Sequence, residues 1–398
     1  MKKLALVIAV VFIAAFFVTP VTASDFSAGG QYRFEAVSVD NPRDTDTGVE
    51  KETYFDQRMR VAFSWKVNDN VSAQLRGDFA EFRWGDGYRP EAGGDTLMVD
   101  RAWVKINQGP LTLTVGQQGG DWGLGTLWSD QFQGIQADFA FNPVTLKLLY
   151  VKESEGGTDG NVLTDEGDND DTDTYGASLL YACDAFSGGL SFATTKNGAT
   201  NDTKTGYSLH VVAPLSDMFT LSGAGEIFSG DDGEGIDYAG TQLHAALDAT
   251  FSDTIKGGVT VIWANDVDSN ESQLTSIADD AVFKPLDYDG ALAYNNGNFG
   301  GNTGIFDVSG AGYGVTAIVG DLQINVTEAV TLWAKLGYAE PNEDHNLNSK
   351  VYAVANIDYA WMPAVTLSGG VGYVAPDYDD TTNDDALIGA TVQLSVSF

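Results

Sequence analysis

The chain has 398 residues, 43% hydrophobic and 11% aromatic, with 46 glycines and a formal net charge of -35. Past residue 23 no continuous apolar stretch is long enough to cross a bilayer as a helix, which excludes a helical membrane protein. The acidic balance excludes a nucleic-acid partner, and the single cysteine, Cys183 beside a predicted turn, excludes an internal disulfide and reads as a small packed residue.

At the N-terminus Lys2 and Lys3 precede an apolar run from Leu4 to Val18 and the small-residue site Val21-Thr22-Ala23. This pattern predicts a cleaved signal peptide over residues 1–23 and one exported domain over 24–398. Loss of the two lysines takes the formal charge from -35 to -37.

From there on the dominant signal is a two-residue period. A first strand is predicted near Gln31 to Val39. In the next, Met59, Val61, Phe63 and Trp65 share one face, while Arg58, Arg60 and Ser64 share the other. Leu111, Leu113 and Val115 alternate with Thr112, Thr114 and Gly116, and Leu243, Ala245 and Leu247 alternate with Gln242, His244 and Asp248. Short turns are predicted at Asn68-Asp69-Asn70, Asn107 to Pro110, Asn142-Pro143, Asp184 to Ser187, Ser216-Asp217, Ser252-Asp253, Thr327 to Ala329 and Met362 to Ala364. Long acidic connections separate the hairpins: Asn41 to Glu52, Ser154 to Asp173, Gly230 to Asp237, Asp266 to Gly310, Glu340 to Ser349 and Pro376 to Asp385. Their acidic runs lack the ligand spacing of a calcium loop and read as solvated loops, with loose divalent bridging to neighbouring lipopolysaccharide as the alternative. The last strand, near Ala386 to Phe398, ends on an aromatic with Val396, Leu394 and Val392 alternating behind it.

These elements predict an all-β fold: a transmembrane antiparallel up-and-down β-barrel with short periplasmic turns and long acidic extracellular loops. Eight hairpins plus a first and a last strand give 18 strands, or 16 if one hairpin belongs inside a loop. Aromatics at strand ends, such as Trp65, Trp84, Phe141, Tyr150, Phe251, Trp333, Tyr338 and Trp361, favour the barrel over a soluble sandwich. The location implied is the outer membrane of a Gram-negative bacterium.

The segment Val99-Asp100-Arg101-Ala102-Trp103-Val104-Lys105-Ile106, the turn through Pro110, and Leu111-Thr112-Leu113-Thr114-Val115-Gly116-Gln117-Gln118 resemble a hairpin shared by Gram-negative porins. Gln117 stands where that family usually carries arginine. The resemblance implies a water-filled channel for small hydrophilic solutes and ions, built as a homotrimer, with Gly119 to Asp130 as a constriction loop; an external loop is the alternative. Lys105, Gln118 and Asp121 are the lining residues it points to there. The C-terminal Phe398, Val396 and Leu394 resemble the signal read by the barrel-assembly machinery.

All eight arginines lie at or before position 101: Arg33, Arg43, Arg58, Arg60, Arg76, Arg83, Arg89 and Arg101. Alternation places Arg33, Arg58, Arg60, Arg76 and Arg101 on the inner face of the first four strands. One reading is a cationic strip facing acidic groups across a pore; the other is that they pair with Glu35, Asp56 and Asp78 along the same faces. The sequence shows no Gly-x-Ser-x-Gly elbow, zinc cluster, phosphate-cradling loop or haem-attachment motif. An enzyme and a cofactor are therefore not expected, and His210 and His244 read as lumen-lining polar residues. The runner-up function is a sheath enclosing an electron-transfer cytochrome, which should be open inside.

Overall fold

The computed structural model describes residues 25–40, 51–84, 97–154, 171–268, 271–274, 277, 314–342, 347–378 and 386–398. The expected signal peptide and most of the long acidic connections lie outside the described residues. The strands are β1 (Asp25–Asp40), β2 (Lys51–Lys66), β3 (Val71–Arg83), β4 (Leu97–Gln108), β5 (Leu111–Trp122), β6 (Trp128–Phe141), β7 (Val144–Ser154), β8 (Thr172–Ala182), β9 (Ser187–Asn197) and β10 (Thr203–Pro214). They continue as β11 (Phe219–Asp231), β12 (Asp237–Thr250), β13 (Ile255–Ala264), β14 (Glu271–Gln273), β15 (Val315–Asn325), β16 (Val330–Glu340), β17 (Leu347–Met362), β18 (Val365–Tyr378) and β19 (Leu387–Ser397).

Each long strand pairs antiparallel with its sequence neighbours, β13 pairs with β15, and β19 returns to β1. Only the three-residue β14 lies outside this ring, parallel to the start of β12. Removing it from the nineteen strands leaves a closed barrel of eighteen staves, which decides between the two strand counts the sequence allows. Closure follows from the medium: in hydrocarbon an unpaired strand edge has no solvent to hydrogen-bond, so only a sheet without edges is stable.

The eight short connections fall where the sequence places turns, and four of them share one device. A side-chain oxygen at the start of the turn accepts the backbone N–H groups two and three residues on: Asn68 Oδ1 from Asn70 and Val71, Ser216 Oγ from Met218 and Phe219, Ser252 Oγ from Thr254 and Ile255, and Thr327 Oγ1 from Ala329 and Val330. These local bonds tie off donors that the ladder no longer uses.

The outer face is apolar from stave to stave, with Leu190, Leu209, Ile227, Leu243, Leu336, Val371 and Val392 all exposed. Two aromatic groups mark its edges at β1 to β3: Phe26 with Phe63 and Trp65 at one end, and Phe34 with Phe55 and Trp84, just past β3, at the other. Ten residues separate Phe55 from Trp65. At ~3.3 Å per residue and a tilt of ~40° that is a height of ~25 Å, the thickness of an outer-membrane apolar band.

The inner face departs from strict alternation in two ways. A bulge opens where Arg76 pairs with Arg101 but Gly77 pairs with Val99, so Asp100 is the extra residue. The inner face is also not polar throughout, since Val37, Tyr54, Ile262, Ala264, Val315, Ala317, Val319, Ala339, Tyr352, Val354 and Val374 form one buried cluster on β1, β2, β13 and β15 to β18. Tyr352 is seated there because Gly337, its cross-strand partner, has no side chain: a Cβ at Gly337 would stand 2.0 Å from Tyr352 Cε1.

At the seam Gly30 N–H donates to the Phe398 carbonyl (2.8 Å) and Phe398 N–H donates to the Gly30 carbonyl (3.0 Å). The Phe398 ring lies over Gly30, where a Cβ would meet Phe398 Cζ at 2.6 Å and the Arg60 carbonyl oxygen at 2.4 Å. Val396 and Leu394 continue the outward face behind it, opposite Tyr32 and Phe34. Deleting Phe398 removes two ladder bonds worth about 1 kcal/mol each in addition to the ring contact. Both Phe398 deletion and Gly30→Val are expected to lower the fraction of protein that runs as a compact, heat-modifiable band on unheated gels, with synthesis unchanged. An undiminished compact band in both variants would contradict the role given to the seam.

Candidate functional site

The hairpin of β5 and β6 leaves the wall part-way up. β5 is paired to β4 only over Leu111 to Gln117, and β6 to β7 only over Gln133 to Phe141. Beyond those points Gln118–Trp122 and Trp128–Phe132 pair with each other alone. The departure is marked by a cross-strand glycine pair, Gly116 opposite Gly134. Gly116 has φ +120, and a Cβ there would stand 2.1 Å from the Ala102 carbonyl oxygen; at Gly134 it would stand 2.1 Å from that of Tyr150. No other residue allows the neighbouring backbones so close.

The tip, a single 3-10 turn over Gly123–Gly125, packs inside the barrel against β9, β10 and β11. Leu127 and Trp128 are completely buried with Trp122, Phe132, Leu149, Val151, Ala193, Phe228, Leu274 and Ile277. Burial of each large apolar side chain contributes roughly 2–3 kcal/mol. Polar contacts fix its position: Thr126 Oγ1 donates to Glu226 Oε1 (2.6 Å), and Gln242 Nε2 donates to the Thr126 carbonyl (3.3 Å). The segment 119–130, expected as a loop, is thus a strand–turn–strand arm folded into the lumen against β7 and β9 to β11.

The inner faces of β1 to β4 carry the arginines, and the structure pairs several of them. Arg60 makes a two-pronged contact with Asp78, both bonds 2.6 Å, and also lies 3.4 Å from Asp100. Arg76 grips Asp100, with Nη2 at 2.5 Å and Nε at 2.9 Å. Asp100, which simple alternation turns outward, was missing from the expected partners, and the bulge brings it in beside Arg101. Arg33 is buried, beside its register partner Arg58. The Arg101 guanidinium packs on Gly119, whose absent side chain would stand 2.8 Å from both terminal nitrogens. Of the two readings of this face, the pairing one describes Arg60 with Asp78: Arg33, Arg58, Arg60, Arg76, Arg101 and Lys105 share their faces with Glu35, Asp56, Asp78 and Asp100, a formal excess of two positive charges among these residues. Arginine is suited to such packing because its planar fork satisfies a carboxylate with two bonds.

The remaining expected residues are placed as follows. Lys105 lies over the Trp103 ring at 5.2 Å. Gln118 is buried at the root of the arm, with long contacts to the Thr114 and Gly134 carbonyls (3.4 and 3.5 Å). Asp121 is exposed on the arm opposite Ser129. Gln117 shares the outward parity of Val115 on the last rung held by the wall. His210 and His244 face inward, each level with Ala224 on β11. On the opposite wall, Asp248 of β12 and Asp321 of β15 lean over Gly258 of β13, whose Cβ would stand 3.1 and 2.9 Å from their Oδ1 atoms. Among the described residues no group of three or more His, Cys, Asp or Glu is placed to hold a metal ion. In the β11–β12 loop Asp232 Oδ1 accepts the N–H groups of Glu234, Gly235 and Ile236, which hold its carboxyl below the usual carboxylate range.

A closed barrel with an arm folded into its lumen is the architecture of a channel, and the chain matches the family model of Gram-negative porins over residues 64–279. The chain is a Gram-negative porin. It resides in the outer membrane and forms a channel for small solutes. The porin is similar in fold to OccK11 (OpdR) of Pseudomonas aeruginosa, with a TM-score of 0.62 at 10% identity over 94% of this chain and 96% of that one. OpdQ of the same organism (0.61, 13%, 95% and 99%) and OccAB2 of Acinetobacter baumannii (0.61, 9%, 96% and 99%) are similar to the same degree. A search of curated protein sequences gave no match.

The paired charges make a signed prediction. Asp100→Asn removes one negative charge from the arginine face and is expected to move the reversal potential under a salt gradient toward anions; Arg76→Gln is expected to move it toward cations. The double variant, which removes one charge of each sign, should return close to the parent. A double variant displaced as far as either single one would show that the two groups do not act on the conducting path together.

Proposed function

We propose that the β5–β6 arm is the constriction of this porin and that solutes pass between the arm and the charged face of β1 to β4. The observation that carries this is the burial of Leu127 and Trp128 against residues of β7, β9 and β11, which seats the arm inside the lumen instead of above it. Opposed charge supports a transverse field, with the arginine network on one wall and Asp248 on the other, where Asp321 lies opposite its register partner Lys335. Such a field orders water and favours polar or charged solutes over apolar ones. Because the arginine face is almost neutralised by its own carboxylates, while the chain as a whole carries -35, the reading is a weak preference for cations. Loop charges concentrate cations at the mouth but are screened beyond roughly 8 Å at physiological salt.

On this reading transport is passive, without covalent chemistry or a cofactor. A sheath for a cytochrome is disfavoured because the arm occupies the space a guest would need. We assign the short turns to the periplasmic side and the acidic loops to the cell surface, beside lipopolysaccharide. Assembly as a homotrimer and recognition of Phe398, Val396 and Leu394 by the barrel-assembly machinery belong to the same proposal.

Removal of residues 120–129 joins Gly119 to Asp130, two residues one step apart in the hairpin register. The shortened porin is expected to conduct about twofold more or better in a planar bilayer, since the narrowest section limits flow. Unchanged conductance in a folded deletion variant would place the constriction elsewhere.

A further inference from the structure

We propose that Glu226 is the positioning residue that latches the constriction arm in its narrow state, so that the hydrogen bond between Glu226 and Thr126 sets the conductance level of the channel. The inference rests on the arm being the constriction and adds the group that holds it. Glu226 lies on β11, a hundred residues from the arm, and is 1% exposed. Its Oε1 accepts from Thr126 Oγ1 of the tip (2.6 Å) and from Ser208 Oγ of β10 (2.9 Å), so one oxygen joins the arm to two staves. The Gln242 amide also lies beside the carboxyl, and among the described residues Oε2 makes no direct hydrogen bond. A buried carboxylate is costly to keep without a cation, and the structure records no ion pair to this one among the described residues. An apolar residue would satisfy the core better; what a carboxylate adds at this place is an acceptor for the tip.

The fit around the latch leaves the tip one seat. Gly123 has φ +63, and a Cβ on it would stand 2.6 Å from Ser208 Oγ and 2.8 Å from Leu127 Cβ. On the same stave as Ser208, Gly206 leaves the space taken by Leu127, since a Cβ there would stand 2.6 Å from Leu127 Cδ1. Gln242 on β12 holds the Thr126 carbonyl, and the Leu127 carbonyl accepts from the N–H of Ile277 (3.0 Å). The arm thus has a glycine pair at its root, where it leaves the wall, and a hydrogen-bonded catch at its tip. Weakening the catch shifts weight toward states in which the tip is unseated and the passage wider.

Single-channel recording tests this with three substitutions made separately. Thr126→Val keeps the size of the side chain and removes the hydroxyl, which also lies against the Gly123 carbonyl of the turn; Glu226→Ala removes the acceptor; Glu226→Gln keeps an acceptor oxygen in place. We expect Thr126→Val and Glu226→Ala to raise the occupancy of a higher conductance level about tenfold, equivalent to about 1.4 kcal/mol, and Glu226→Gln to stay close to the parent. Combining Thr126→Val with Glu226→Ala should give clearly less than the sum of the two, because both remove the bond they share, while the Ser208 bond is lost only with Glu226. If Glu226→Ala does not assemble, Thr126→Val reads the bond from the arm's side. A parent protein that forms no channel would refute the constriction reading itself. A conducting parent with Thr126→Val indistinguishable from it, or with Glu226→Gln as altered as Thr126→Val, would overturn the latch alone.

Discussion

Everything in this molecule depends on one constraint, that a backbone group in hydrocarbon must find its hydrogen-bond partner within the protein. A strand can meet it only between two neighbours, so the sheet has to close, and the last residue of the chain supplies part of the closure through the reciprocal bonds between Phe398 and Gly30. Once the wall is closed, each strand separates two environments. Outward positions accept Leu, Val and aromatic residues because they meet lipid, and inward positions are free to carry Arg60, Asp78 and their neighbours because they do not.

Among the described residues the arm is where long strands leave this ladder, and the structure shows how the lost partners are replaced. The two halves of the arm pair with each other, so their outer edges alone give up the wall. Tip groups that have no strand neighbour find Glu226, Gln242 and Ile277 instead. Such a departure is feasible because it faces the lumen, where polar side chains and water are available. It also requires Gly116 and Gly134, since any side chain at the root would press on the carbonyls of Ala102 and Tyr150.

Local features of the fold were legible in the sequence because they have local causes. The turn at Asn68 is written in a side chain that bonds two and three residues ahead, and the faces of β2 are written in a period of two. Features that depend on a broken register were not. Asp100 points inward only because it is the surplus residue of a bulge, and nothing in Val99-Asp100-Arg101 announces that two consecutive side chains will share a face. The seat of the arm was hidden for a different reason. Thr126, Ser208, Glu226 and Gln242 lie on separate elements, and Glu226 reads from its strand alone as one more inward polar residue. A usable hint was present in the glycines of β5, β8 and β10, where Trp122, Leu127 and the Arg101 guanidinium find room.

On the proposed function, charge and packing share the control of passage. Arg60, Arg76, Asp78 and Asp100 form a formally neutral network on one wall, and on the same reading the arm sets the width beside it. The central claim is that the arm tip borders the conducting path. Leu124 at that tip is 38% exposed and is the natural reporter. In a Cys183→Ser background, Leu124→Cys can be modified with a bulky, membrane-impermeant thiol reagent while current is recorded. The account predicts a stepwise fall in single-channel conductance on modification, reversed by reductant when the adduct is a disulfide. Complete modification with no change in conductance would contradict it.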